Sequence, residues 1–152
     1  MTPRKALALG TLAVGILDIL DALIFFGLRG VQPIRIFQAI AAGLLGREAF
    51  QGGLATAVLG GVLHFFIAFV IVVVYFLASR RAPVLTRHAV ALGMAYGLVV
   101  YFVMSHIVIP LSAASQGPFS FPVFVNGILI HAFGVGLPAA LFARAAREHQ
   151  SR

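Results

Sequence analysis

Cysteine and tryptophan are absent from the 152 residues, and charge is scarce: four acidic side chains, with 10% of residues charged. Without cysteine there are no disulfides, no thiolate nucleophile and no cysteine-ligated zinc or iron–sulfur centre. A soluble domain carries about 25% charged residues, so the chain lacks the polar surface that a soluble fold requires. Sustained apolar–polar alternation is missing, which excludes a transmembrane β-barrel on period. No phosphate loop, nucleophile motif, H-x-x-H or H-E-x-x-H pair occurs, so no enzyme class is indicated by local spacing.

What remains is apolar. Hydrophobic residues make up 61% of the chain, with 16 glycines and 14 phenylalanines, a composition suited to helices packed closely in lipid. A span needs about 20 mostly apolar residues. Four segments qualify, roughly 6–28, 54–78, 88–111 and 122–143. The expected fold is an all-α integral membrane protein, a four-transmembrane-helix bundle forming a single membrane domain over 1–152. The N-terminal apolar run reads as a retained span. It is too long for a signal peptide, Asp18 and Asp21 interrupt it, and no A-x-A site follows.

The first connection is long for a bare loop. After Pro33, the apolar residues Ile34, Phe37, Ile40, Ala41 and Leu44 recur at helical spacing, and Gly46 offers a stop. This predicts a helix at about 33–46, too short to span. It would be interfacial or re-entrant between spans 1 and 2, or docked as a cap on the bundle. Thr86 is placed to cap the third span, Pro110 to end it, and Ser120 with Pro122 to start the fourth.

The net charge of +7 would point to nucleic acid in a soluble protein. Here the basic residues sit at span ends, where they set topology and attract anionic headgroups, so the expected partner is the lipid bilayer and not nucleic acid. Arg4, Lys5, Arg80, Arg81, Arg87, Arg144, Arg147 and Arg152 fall on one side, against Arg29, Arg35 and Arg47 on the other. That asymmetry predicts cytoplasmic N- and C-termini. Short loops and the lack of sorting signals make the bacterial inner membrane the default.

The chemistry lies in a few polar residues inside these spans. Asp18 and Asp21 sit three apart on one side of the first span, and the other spans carry His64, His106 and His131. A carboxylate at mid-membrane costs about 2.5–3.5 kcal/mol on insertion scales, so it normally faces protein and has a task there. At about 1.5 Å rise per residue, all five groups fall in the outer half of the membrane. Small-residue stripes accompany them: Thr11, Gly15, Asp18 and Ala22; Gly53, Ala57, Gly60, His64 and Ala68; Gly127, His131 and Gly134. Such stripes mark helix contacts, so the acids, His64 and His131 should point inward. His106 lies one residue round from the Gly93–Gly97–Tyr101–Ser105 stripe. Tyr101, Ser105, Asn126 and Gln38 are available as supporting hydrogen-bonders, or simply as glue between helices.

Several functions fit this pattern. Proton- or cation-coupled translocation of a small solute or ion uses the titratable carboxylate–imidazole set, in an oligomer because four helices form a thin wall. A transition metal on Asp18, Asp21, His64 and His131, or a bis-His haem b between His64 and His131, is the alternative. A structural role would pair the acids with the histidines, or with Arg29 or Arg35, in a subunit that binds other membrane subunits. An enzyme acting on lipid would use Asp/His as acid and base, with Arg29, Arg35 and Arg47 holding an anionic headgroup. His88 and His149, beside arginines, are expected to be solvated.

Overall fold

The structure, a computed structural model, describes residues 1–115 and 117–150, with side chains up to Glu148. Arg152 and the His149 side chain, both used above, lie outside the described residues. All regular structure among the described residues is helical. Helix α1 covers Pro3–Gly27, α2 Pro33–Leu45, α3 Gly53–Arg81 and the short α4 Val84–Arg87. Helix α5 runs over Ala89–Leu111 and α6 over Phe121–Glu148. Four of these, α1, α3, α5 and α6, are long and apolar enough to cross a membrane.

The ends follow from local chemistry. Thr2 caps α1 by accepting from the Lys5 N–H at 3.4 Å, and Pro3 occupies the first turn, where its missing donor costs nothing. Pro33 opens α2, and Gly46 closes it at φ 61°, a conformation that favours glycine. Pro122 stands in the first turn of α6. Thr86 does not cap the third span: it is buried in α4 and its hydroxyl donates to the Pro83 carbonyl at 3.0 Å.

Prolines also reshape two helix interiors. In α5 the turn Met104–Val108 is π-helical, with the Ile109 N–H reaching back to the Met104 carbonyl. In α6 the turn His131–Gly136 is π-helical, with the Leu137 N–H bonded to the Ala132 carbonyl. Each lies just before a proline, Pro110 or Pro138. Proline has no N–H for the carbonyl four residues back and its ring crowds that carbonyl, so the preceding turn widens.

Helix α1 packs between α3 and α6, and α5 packs along α6. The main core gathers Val14, Ala68, Val72, Tyr75, Val100, Val135 and a run of alanines from α1, α3, α5 and α6. Tyr75 and Tyr96 meet edge-on at 5.0 Å, and Tyr96 donates to the Ile71 carbonyl at 2.8 Å, tying α5 to α3. Helix α2 lies against the first half of α3. A Cβ on Gly60 would overlap the Phe37 carbonyl, so glycine is what lets these two backbones meet. The Ala113 N–H donates to the Gly43 carbonyl at 2.9 Å, joining the 112–120 connection to α2.

Candidate functional site

The polar residues of the spans meet around the second half of α1. His64, on α3, is buried, and its Nε2 lies 2.8 Å from the Gly15 carbonyl of α1. A carbonyl only accepts, so Nε2 holds the proton. Close approach is allowed because Gly15 has no side chain; a Cβ there would overlap the Phe65 ring. The other ring nitrogen, Nδ1, faces Asp18 with 3.9 Å to Oδ2. The Asp18 side chain keeps 29% of its surface, and it also lies within Coulombic range of His131 and Asp21.

Asp21, one turn along α1, accepts from the Asn126 amide at 2.6 Å, which ties α1 to α6. His131, at the start of the π-helical turn of α6, donates through Nδ1 to the Gly127 carbonyl of its own helix at 2.9 Å. That bond leaves Nε2 as the acceptor in the neutral ring. Its ring packs edge-on against Tyr101 at 5.3 Å, and Tyr101 lies over Gly127, where a Cβ would strike its ring. The His131 backbone is pressed onto α5, since a Cβ on Gly97 would overlap the His131 carbonyl. Asp18, Asp21, His64 and His131 with Asn126 and Tyr101 therefore form one polar seam across α1, α3, α5 and α6.

Other residues singled out in the sequence lie elsewhere. His106 is exposed, leans on Phe102 at 5.7 Å and donates to the Phe102 carbonyl of its own helix at 3.2 Å. Ser105 is half-buried beside it. Gln38 is 3% exposed and binds the Gly53 carbonyl at 3.0 Å, so it locks α2 to the start of α3; its Oε1 has no partner among the described residues. Arg29 folds over Phe25 at 3.5 Å, Arg35 donates to the Phe50 carbonyl at 3.1 Å, and Arg47 is exposed. The first is held by Phe25 at the end of α1 and the second by Phe50 of the connection, and neither pairs with Asp18 or Asp21 in the described ion pairs. His88 is exposed at the start of α5.

Among the described residues no group of three or more His, Asp or Glu side chains converges to hold a metal ion. The four side chains expected to share a transition metal, Asp18, Asp21, His64 and His131, do not form such a group. Sequence reasoning also missed Tyr75 and Tyr96, whose inter-helix contacts are described above. Their aromatic character alone does not distinguish them from exposed phenylalanines such as Phe66 and Phe133.

Compared with known proteins, the chain matches no family, no curated protein and no solved structure.

Proposed function

We propose that this is an integral membrane protein that carries out proton- or cation-coupled translocation of a small solute or ion, with Asp18 and His64 as the proton-holding pair. The observation that carries the reading is the double engagement of His64, Nε2 on the Gly15 carbonyl and Nδ1 toward Asp18. Because Nε2 is pinned as the donor, a neutral ring turns a bare, proton-accepting Nδ1 toward the acid. An ionised carboxylate is also only an acceptor, so two acceptors would face each other. A single proton resolves this, carried on the imidazole or on Asp18. The pair is then a one-proton store that can load and release without breaking the Gly15 contact. At 3.9 Å the transfer needs a small closure or one bridging water. Asp21, held by Asn126, and the acceptor Nε2 of His131 are the next stations.

In this reading α1, α3, α5 and α6 cross a bacterial inner membrane with both termini in the cytoplasm, as the basic residues favour. The seam is in the outer half. The remaining exposure of the Asp18 side chain would be closed by a second copy of the chain or by another membrane subunit, since bare carboxylate surface is not tolerated against lipid.

The test is proton flux into liposomes under a clamped membrane potential. Wild type should move protons above empty vesicles. Asp18→Asn and His64→Ala should lower flux by about tenfold or more, the range expected for loss of a proton-transfer group, with insertion and thermal unfolding retained. Flux equal to wild type in both variants would sink the proposal. A specific observation favours a second reading, helix registration: the Asn126–Asp21 bond needs no proton traffic. Loss of folding in both variants, with no flux in wild type, would support that role in a larger complex.

A further inference from the structure

At the end of the molecule opposite the seam, Pro83, Thr86, Arg87, Arg144, Arg147 and Glu148 line a cleft of 340 Å³. Its walls come from α4 and the last turns of α6, elements distant in sequence. One of its arginines is held in place by buried groups: Arg147 donates through Nη1 to the buried Ser79 carbonyl and to the buried Thr86 hydroxyl, both at 3.4 Å. Arg144 is exposed and pairs through Nε with Glu148, one turn on, at 2.8 Å. A guanidinium has five N–H donors, so each retains donors beyond those bonds. Three arginines against one glutamate leave the cleft positive by two charges.

We propose that this cleft binds a phosphate group, presented by an anionic phospholipid. Forked guanidinium donors match phosphate oxygens in pairs, and the prior placement of Arg147 by Ser79 and Thr86 lowers the ordering cost of binding. The source follows from position and rests on the membrane reading above: the cleft lies at the cytoplasmic end of α6, at headgroup level, where anionic lipid is concentrated. This is a defined site, separate from the diffuse attraction of Arg80 and Arg81, which do not line it.

The experiment is native mass spectrometry of protein released from discs of phosphatidylcholine containing a minority of phosphatidylglycerol. Wild type should retain phosphatidylglycerol in preference to phosphatidylcholine. The Arg87→Gln/Arg144→Gln double variant should lose that preference by about tenfold, and Arg80→Gln/Arg81→Gln should keep it. Arg147 is left intact in both because it ties α6 to α3, and matching thermal unfolding of the two doubles excludes a folding defect. Displacement of the retained lipid by inorganic phosphate supports phosphate as the recognised group. Equal loss in both doubles, or no preference in wild type, overturns the site. Binding of inorganic phosphate with no lipid preference overturns the lipid as its source. Failure of the membrane reading is separately visible, because the chain would then be missing from the membrane fraction.

Discussion

Single side chains in this protein do different work according to which backbone group they face. His64 and His106 are both span histidines. The first crosses to the Gly15 carbonyl of another helix, and the second returns to the Phe102 carbonyl of its own. His106→Ala is therefore expected to leave proton flux within twofold of wild type, in contrast to His64→Ala; liposome flux at matched protein density checks this. Asn126→Ala removes the 2.6 Å bond to Asp21 and should cost about 1–2 kcal/mol of stability, read as a lower detergent-unfolding midpoint. Asp18, Asp21, His64 and His131 were legible as a group because ionisable residues in apolar spans are rare and stand out. Their partners were not, since nothing in the sequence tells which of several carbonyls a ring nitrogen will meet.

Helices here are shaped by glycine and proline more than by polar contacts. Gly60, Gly97 and Gly136 are places where a Cβ would overlap a neighbouring backbone. Gly97→Val should force α5 away from His131 and destabilise the fold by about 1–3 kcal/mol, measured by thermal unfolding in detergent. The two π-helical turns share a cause, a proline two residues beyond each, Pro110 after Val108 and Pro138 after Gly136; the apolar run continues on both sides of Pro138, so hydropathy alone does not mark the altered geometry there. Pro138→Ala restores an N–H to the Gly134 carbonyl and should convert His131–Gly136 toward regular helix. Because this rotates the first half of α6, His131 and Asn126 shift relative to α1. Reduced proton flux with unchanged or higher stability is the expected pair of readouts.

For the molecule as a whole, packing runs past the polar seam: Val14, Ala68, Val100 and Val135 of the main core stand beside or one turn from Gly15, His64, Tyr101 and His131. The alanine-rich part of that core, Ala6, Ala139, Ala140, Ala143 and Ala146, lies at the end of the basic cleft. The absence of cysteine makes topology simple to test. Ser120→Cys should react with an impermeant maleimide on intact cells, and Ala82→Cys only after permeabilisation. The reverse pattern would invert the proposed orientation and place the Asp18–His64 pair in the inner half.

The order of apolar residues determined that the chain is helical, with four stretches apolar enough to span and a short amphipathic helix after the first. Hydrophobic length and helical period are local properties, and they survive without knowledge of neighbours. Small-residue stripes marked faces that lie against other helices, though not which helix: Gly15 meets Phe65 of α3, Gly60 meets Phe37 of α2 and Gly127 meets Tyr101 of α5. Tertiary structure decided the rest: that His64 bridges Gly15 and Asp18, that Asn126 takes Asp21, that His106 faces outward, and that Thr86 serves Arg147 in place of a helix end. These are contacts between residues far apart in the chain. Each depends on helix rotation and depth to within a fraction of a turn, which periodicity cannot specify and which only the packed glycine crossings and proline-widened turns set.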